Sequence, residues 1–164
     1  MALKERIEKL LNEQVNKEMY SAYLYYSMAV HCESSNFSGF AKWLFLQAKE
    51  EMDHANKLVK YILERSGNVT LEEIKKPKLT WESLEEAFKD AFEHEKFVSD
   101  SINNIVDATI EEKDHATNNM LQWFVAEQVE EEASAEEIYE KLKMINGNMG
   151  ALMRFDGEMA RRGE

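Results

Sequence analysis

The segment FAKWLFLQAKEEMDHANKLVKY, residues 40–61, decides the fold of this chain. Its apolar residues recur three and four positions apart, as they do along one face of an α-helix. In the middle of that face, Gln47, Glu51 and His54 replace about two turns of apolar residues. Glu51 and His54 are three residues apart, so both side chains can bind one ion. The pattern predicts a helix of a bundle that is built around a polar centre.

Three further segments repeat this apolar stripe with a polar interruption near the middle. The interrupting carboxylates are Glu18, Glu95 and Glu131. If the four helices pack together, these carboxylates meet Glu51 and His54 inside the bundle, where an unpaired ionised group would cost several kcal/mol. No Lys or Arg lies on the same stripes near these positions, so we expect bound cations to balance the charge.

Length, composition and charge restrict the class of protein. At 164 residues, 44% of them hydrophobic, the chain is expected to form one domain with a sizeable core. The net charge of −12 argues against binding nucleic acid and fits a protein that handles cations. The single cysteine, Cys32, excludes an intrachain disulfide and those metal sites that need several thiolates. No apolar stretch could span a bilayer and no secretion signal is evident, so we expect a cytoplasmic protein without membrane contact.

Helix-forming residues dominate the chain, and it has one proline, so the sequence predicts an all-α fold. The cluster Ser34–Asn36 is expected to form a turn and to cap helix two, and Asp114 is expected to cap helix four. The helices are predicted over about residues 5–33, 37–65, 81–109 and 115–145, with a short fifth helix at about 148–162.

The connection between helices two and three is unusually long. Residues 66–80 lack helical periodicity and contain Pro77. A turn between antiparallel neighbours needs only about two to eight residues. This segment is therefore predicted to run the length of the bundle and to place helix three parallel to helix two.

The types of ligand indicate which ion the centre binds. Carboxylate oxygens with a single imidazole suit iron or manganese better than zinc. Glu51 could bridge two such ions, one completed by Glu18 and His54 and the other by Glu95 and Glu131. Two adjacent ferrous ions could pass two electrons to dioxygen, which would make the centre an oxidase site. The alternative is a buried charge network without metal.

Four separated segments resemble those of the prokaryotic non-haem ferritins: residues 16–20 (NKEMY), 50–54 (EEMDH), 94–95 (HE) and 121–132 (LQWFVAEQVEEE). The resemblance extends over nearly the whole chain. It implies a single ferritin-like domain over residues 1–164, an all-α four-helix bundle with one long crossover and a short C-terminal helix. It also implies iron storage and iron homeostasis, with oxidation of Fe(II) by oxygen or hydrogen peroxide inside a homo-oligomeric cage of twenty-four subunits.

The resemblance assigns roles to individual residues. Two iron ions per subunit are implied, the first bound by Glu18, Glu51 and His54, and the second by Glu51, Glu95 and Glu131. Gln128 would lie beside the second ion and Tyr25 next to the centre. A third iron site is implied at Glu50, Glu127 and Glu130.

The exposed apolar residues expected to form subunit contacts are Phe37, Trp43, Met149, Leu152, Met153 and Met159.

Relatives with other functions remain as alternatives. Bacterioferritins resemble a template in which helix four carries a second Glu-x-x-His, whereas this chain has Gln128-x-x-Glu131, so no haem is expected. Met52 discriminates poorly between the two groups. A DNA-protecting mini-ferritin would need a site between subunits and a basic tail, and a metal-free interaction bundle would bind no iron. The acidic turn that contains Glu111, Glu112, Asp114 and His115 could line an ion entry channel, but it is interpreted as a solvated turn. Trp123 is interpreted as a packing residue, with an electron donor as the alternative.

Overall fold

The computed structural model describes residues 2–164, and within them it contains helices and no strand. No helix in this range combines the length and the low polarity that a membrane span requires. The structure confirms an all-α four-helix bundle with a short C-terminal helix. Its elements are α1 (Glu5–Ser34), α2 (Ser38–Glu64), α3 (Leu84–Glu111), α4 (His115–Ile145) and α5 (Met149–Met159).

Side-chain caps determine where α3 and α4 begin. The Asp114 side chain accepts a hydrogen bond from Thr117 N at 3.1 Å, which confirms the predicted cap of α4. The start predicted for α3 at residue 81 is wrong by three residues. Ser83 stays extended and its hydroxyl accepts from Glu86 N, so the helix begins at Leu84.

The prediction that the cluster Ser34–Asn36 caps α2 is wrong. The residue before α2 is Phe37, which makes no side-chain capping hydrogen bond. The hydroxyls of both serines instead donate to the carbonyl oxygen of His31, in the last turn of α1. Asn36 adopts a left-handed backbone conformation with φ of 65°, which asparagine tolerates well and which reverses the chain. The cluster therefore ends α1 rather than beginning α2.

The connection from α2 to α3 runs along α1. Near its start, Thr70 N donates to Asn12 Oδ1 at 2.7 Å. Near its end, Ser27 Oγ donates to the carbonyl oxygen of Lys78 at 2.6 Å. The segment thus follows α1 toward the end of the bundle at which α2 begins. This path confirms the long crossover and makes α3 parallel to α2.

The core consists of two apolar clusters with a polar layer between them. Each large apolar side chain that is fully buried contributes about 1.5–3 kcal/mol, so two such clusters can support a layer whose burial is costly. One cluster includes Leu24, Met28, Phe40, Leu44, Phe88, Ile138 and Leu142. The other includes Ile7, Leu11, Val15, Leu58, Ile62, Val98, Ile102, Leu121 and Phe124.

Helix α5 is docked tightly against the start of α2. A Cβ atom at Gly39 would lie 1.8 Å from the carbonyl oxygen of Asp156, so only glycine allows this approach. The Asp156 side chain accepts from Phe40 N at 3.0 Å, and the rings of Phe40 and Phe155 meet edge to face at 5.3 Å. This docking brings residues 160–164 beside α2.

The predicted set of exposed subunit contacts is only partly exposed. Phe37 and Trp43 pack against the core, as does Leu152. Met159 is buried, with 6% of its surface exposed, because α5 turns it toward α2 and α4. Met149 and Met153 are exposed as expected.

Candidate metal centre

The polar layer takes one or more side chains from each helix of the bundle. Each of these residues is on the apolar stripe of its helix, so helix packing brings them together at the same level. Their exposed fractions lie between 1% and 7%. The layer contains Glu18 of α1, Glu51 and His54 of α2, Glu95 of α3, and Gln128 and Glu131 of α4.

The first group of potential ligands consists of Glu18, Glu51 and His54. One donor atom from each lies within 4.8 Å of the others. His54 Nδ1 is 3.3 Å from Glu51 Oε2 and 3.8 Å from Glu18 Oε2. Within residues 2–164, Glu18 Oε2 is the one buried side-chain oxygen or nitrogen without a hydrogen-bond partner. A buried oxygen of this kind is expected to bind a cation.

The second group consists of Glu51, Glu95 and Glu131, whose donor atoms also lie within 4.8 Å of one another. Glu95 is oriented from two sides. The Tyr25 hydroxyl donates to its Oε1, and Gln128 Nε2 donates to its Oε2 at 3.1 Å. Glu51 belongs to both groups, so its carboxylate lies between the two positions where ions can bind.

The residues predicted to form a third site surround one open cavity of about 600 Å³. The structure places Glu127 against His54, with Glu127 Oε1 3.8 Å from His54 Nε2, and groups these two residues with Glu131. Glu130 is exposed. Glu50 Oε2 accepts a charged hydrogen bond from Arg162 at 2.8 Å. The three predicted carboxylates thus share the cavity, and two of them have other partners.

Burial changes the ionisation of the carboxylates. It raises the pKa of Glu131 to about 7, and the charge of Glu95 adds to the shift. It also raises the pKa of Glu95 to about 7, although hydrogen bonds to this carboxylate oppose the change. Burial raises the pKa of Glu51 well above its ordinary value, against the effect of its hydrogen bond with His54. Without cations, the centre therefore retains protons near neutral pH.

Two neighbouring groups respond to the same negative charge. Burial lowers the pKa of His54, but the adjacent carboxylates of Glu18 and Glu51 outweigh burial and raise this pKa to about 11. Burial raises the pKa of Tyr25 well above its ordinary value, and the charge of Glu95 raises it further. The proton on His54 gives it a positive charge, which balances part of the carboxylate charge as bound divalent ions can, whereas Tyr25 stays a neutral phenol.

Two glutamines orient these ligands by hydrogen bonds; the sequence placed Gln47 on the buried stripe without a role, and Gln14 was missed. Gln14 Nε2 donates to Glu18 Oε1 at 2.8 Å, and Gln47 Nε2 donates to Glu131 Oε2 at 2.6 Å. Both glutamines are essentially unexposed. The signal was available, because each precedes a candidate ligand by four residues on the same helix face. Another missed residue is Arg162, which comes from the chain end and not from a stripe of the bundle.

Trp123 and the acidic turn at residues 111–115, both interpreted from the sequence, make specific contacts in the structure. The Trp123 ring lies 5.4 Å from the His54 ring and is covered by the Lys57 ammonium at 3.9 Å. In the acidic turn, Asp114 is buried and forms an ion pair with Arg65 at 3.2 Å, so the interpretation as a solvated turn is wrong for this residue. The other two acids of the turn, Glu111 and Glu112, are ion-paired with Arg6 and Lys4.

Comparisons with known proteins agree with the geometry. A family model described as a ferritin-like domain matches residues 8–145. The bacterial non-heme ferritin of Campylobacter jejuni is 44% identical over 154 residues, which cover 94% of this chain and 92% of the relative. That of Bacteroides fragilis is 39% identical over 160 residues, covering 98% and 99%. The open-pore ferritin structure from Archaeoglobus fulgidus matches with a TM-score of 0.97 and 44% identity, covering 98% of this chain and 99% of that one.

Proposed function

This chain belongs to the ferritin-like family, and from that premise we propose that it oxidises Fe(II) to Fe(III) at its buried centre and stores the ferric product. The observation that carries the proposal is the position of Glu51 in both ligand groups. A carboxylate shared by two sets of donors allows two ferrous ions to bind side by side. The names of the relatives, non-heme ferritins, favour this function over that of a haem protein.

The ligand set favours oxidation of bound iron. Carboxylate oxygens stabilise Fe(III) more than Fe(II), which lowers the reduction potential of the bound pair. Two ferrous ions supply two electrons, and dioxygen with two protons takes them up to give hydrogen peroxide. Hydrogen peroxide can serve in the same way and is reduced to water. Iron is the substrate in this reaction.

Individual ligand roles are part of the proposal. Glu18 and His54 complete the first ion, Glu95 and Glu131 complete the second, and Glu51 bridges them. Gln128 and Tyr25 hold Glu95 in its orientation, which their hydrogen bonds support. The same hydrogen bonds restrain rotation of the Glu95 carboxylate away from the second ion.

A third iron site at Glu50, Glu127 and Glu130 is a further part of the proposal. It is supported by the shared cavity beside the centre, and Glu50 must leave Arg162 to join it. Crystals soaked anaerobically with Fe(II) test it. Three ions per chain, one of them on these carboxylates, are expected. Density for two ions only, with Glu127 and Glu130 turned to solvent, would reject the third site and keep the pair.

Assembly into a cage of twenty-four chains, in the cytoplasm and with a role in iron homeostasis, completes the proposal. Support for assembly comes from an exposed apolar groove on α1 and α2. Its volume is about 600 Å³, and its lining is almost wholly apolar. A second copy of this chain is the occupant we propose for it. The lining residues include Met19, Tyr23, Tyr26, Phe45 and Met52.

One experiment addresses oxidation and assembly together. Fe(II) is added in air while ferric absorbance is followed, and the mass of the protein is measured by light scattering. We expect oxidation much faster than in buffer and a particle many times the 19.1 kDa chain mass. Oxidation at the buffer rate would contradict the ferroxidase function. A monomer in physiological salt would contradict the cage.

A further inference from the structure

Arg162 reaches the metal centre from the far end of the chain. Its guanidinium lies 4.3 Å from the centroid of the Trp43 ring, and its Nη1 donates to the carbonyl oxygen of Trp43 at 3.0 Å. Its Nη2 donates to Gln47 Oε1 and to Glu50 Oε2, both at 2.8 Å. The side chain is only 21% exposed. Arginine suits this position because its planar, permanently charged group can stack on an aromatic ring and donate in several directions.

Gln47 connects Arg162 to two candidate ligands. Its amide oxygen accepts from Arg162, while its Nε2 donates to Glu51 Oε1 at 3.1 Å and to Glu131 Oε2 at 2.6 Å. Turning the amide over would aim its NH₂ group at a cation and its oxygen at two carboxylates. Both contacts would then be unfavourable, so the guanidinium fixes the direction in which Gln47 donates.

We propose that Arg162 is a positioning residue of the metal centre, which acts through Gln47 on Glu51 and Glu131. The inference rests on the proposed function, because that function makes these two carboxylates ligands of the second ion. Arg162 contacts neither ion site directly. Its effect is greater on the second ion, since Gln47 touches Glu131, which belongs to the second ion alone, and Glu51, which the two ions share. It touches neither Glu18 nor His54.

The same guanidinium holds Glu50 in an ion pair. Glu50 Oε2 therefore binds a cation in the cavity only after it exchanges Arg162 for that cation. Removing Arg162 frees Glu50 and at the same time loosens Glu131. The two changes have opposite effects on metal affinity: the affinity for the second ion falls, and the affinity for a cation at Glu50 in the neighbouring cavity rises. A general loss of structure would not produce this pair of effects.

Anaerobic titration of the assembled protein with Co(II), followed by calorimetry, tests the inference. The wild-type protein is expected to bind two Co(II) ions per chain in the centre. In Arg162→Ala the affinity for one of the two should fall by about tenfold or more, as is usual when an outer partner of a ligand is lost. The affinity for the other ion should fall clearly less, because of its ligands only the shared Glu51 touches Gln47. Arg161→Ala is the matched control, because Arg161 is the exposed neighbour of equal charge on the same cavity.

A second variant tests whether Arg162→Ala acts only by releasing residues 160–164 from α2. Gln47→Leu breaks the connection but leaves Arg162 with Trp43 and Glu50. It should lower the affinity for the same ion. Combining it with Arg162→Ala should lower that affinity little further, because both changes interrupt the same connection from Arg162 to Glu51 and Glu131. If the losses of Co(II) affinity add up in the double variant, or if the affinities for both ions fall equally, the inference is overturned.

Failure of the inference is distinguishable from failure of the proposed function. If wild-type protein binds two Co(II) ions and neither variant changes their affinities, the inference alone is wrong. If wild-type protein binds no Co(II) in the centre, the proposed function is contradicted and the inference is overturned with it.

Discussion

Glu18 is held by a short chain of hydrogen bonds that leads to the surface. Lys17 Nζ donates to Ser101 Oγ at 2.7 Å, and Ser101 Oγ donates to Gln14 Oε1 at 2.6 Å. Gln14 in turn donates to Glu18 Oε1, while Glu18 Oε2 is left without a hydrogen-bond partner. One oxygen of the carboxylate is thereby fixed by the protein, and the other faces His54, on the side where we propose the first ion. Such outer partners commonly control how well a ligand binds its metal.

Replacing Gln14 should weaken the first ion selectively. In Gln14→Leu the Glu18 carboxylate loses its donor and can rotate, so affinity for one of the two Co(II) ions should fall by about tenfold. The ion held by Glu95 and Glu131 should be unaffected. Calorimetry measures the affinities for both ions. The control is Gln122→Leu, a change at an exposed glutamine of α4. Equal affinities in the variant and the wild type would contradict a role for Gln14.

The raised pKa values predict an unusual pH dependence for the metal-free protein. Burial raises the pKa of Glu95 and of Glu131 to about 7, so folding favours their protonated forms. The stability that these protons provide is fully present below the ordinary carboxyl pKa and is lost as pH rises toward 7. His54, with its pKa raised to about 11, adds a loss that begins above its ordinary pKa of 6.5.

Thermal unfolding in a chelator measures this dependence. The melting temperature of metal-free protein should fall between about pH 5 and pH 8, and saturating Co(II) should reverse the trend, because metal binding displaces protons more easily at higher pH. Glu131→Gln, which removes one titrating group, is the control and should flatten the curve. A metal-free melting temperature that rises through this range would contradict the raised pKa values.

At the scale of helices, most boundaries were predictable, and the reasons for the exceptions are local. The stripe positions that contain Glu51 and His54 follow from periodicity alone, so the sequence predicted the members of the buried layer. The cap predicted at Ser34–Asn36 was wrong because serine occurs near both ends of helices. Only the structure shows that the Ser35 hydroxyl donates to the carbonyl oxygen of His31, at the end of α1. Arg162 was beyond prediction from sequence, since its contact with Gln47 spans 115 positions.

The start of α4 combines a cap with a buried ion pair, so it should be sensitive to mutation. Asp114 accepts from Thr117 N and pairs with Arg65. Burial raises the pKa of Asp114, but hydrogen bonds from Thr117, and then the contact with Arg65, outweigh burial and lower this pKa. Asp114→Ala should destabilise the protein by about 2 kcal/mol, since a lost cap costs about 1 kcal/mol and Arg65 loses its partner Asp114.

Denaturant unfolding of metal-free protein measures the effect of this change. Asp114→Asn is the informative comparison, because asparagine can still cap the helix but carries no charge. It should lose less stability than the alanine variant. If both substitutions leave unfolding unchanged, the cap and the ion pair do not stabilise α4.

For the whole molecule, the central arrangement is a bundle that supports a costly polar layer between two apolar clusters and presents a separate apolar groove outside. Tyr26 lies in this groove with 54% of its surface exposed. The sequence did not indicate the groove, because Tyr23, Tyr26 and Met52 alternate with buried residues along α1 and α2. Only the packed pair of helices shows that these side chains form one continuous surface.

A charge in the groove should prevent assembly without unfolding the bundle. Tyr26→Glu places a carboxylate on the surface proposed for a second copy, where desolvating it would cost several kcal/mol. We expect a much smaller particle by light scattering and unchanged helical content by circular dichroism. Tyr26→Phe, which keeps the ring, should assemble like the wild type. A full-size particle from Tyr26→Glu would contradict the proposed contact.

The central claim is that Glu51 serves two ferrous ions at once, and the initial rate of Fe(II) oxidation in Glu51→Ala tests it most directly. Stopped-flow absorbance should show the fast phase slowed by about a hundredfold or more, because even the loss of an outer partner of a metal ligand costs about 10–100-fold. Asp53→Ala, at an exposed carboxylate in the same turn of α2, should oxidise like the wild type. Metal-free Glu51→Ala should melt at the wild-type temperature or above it, because burial opposes the Glu51 charge. An unchanged fast phase in a folded Glu51→Ala protein would contradict the two-iron centre.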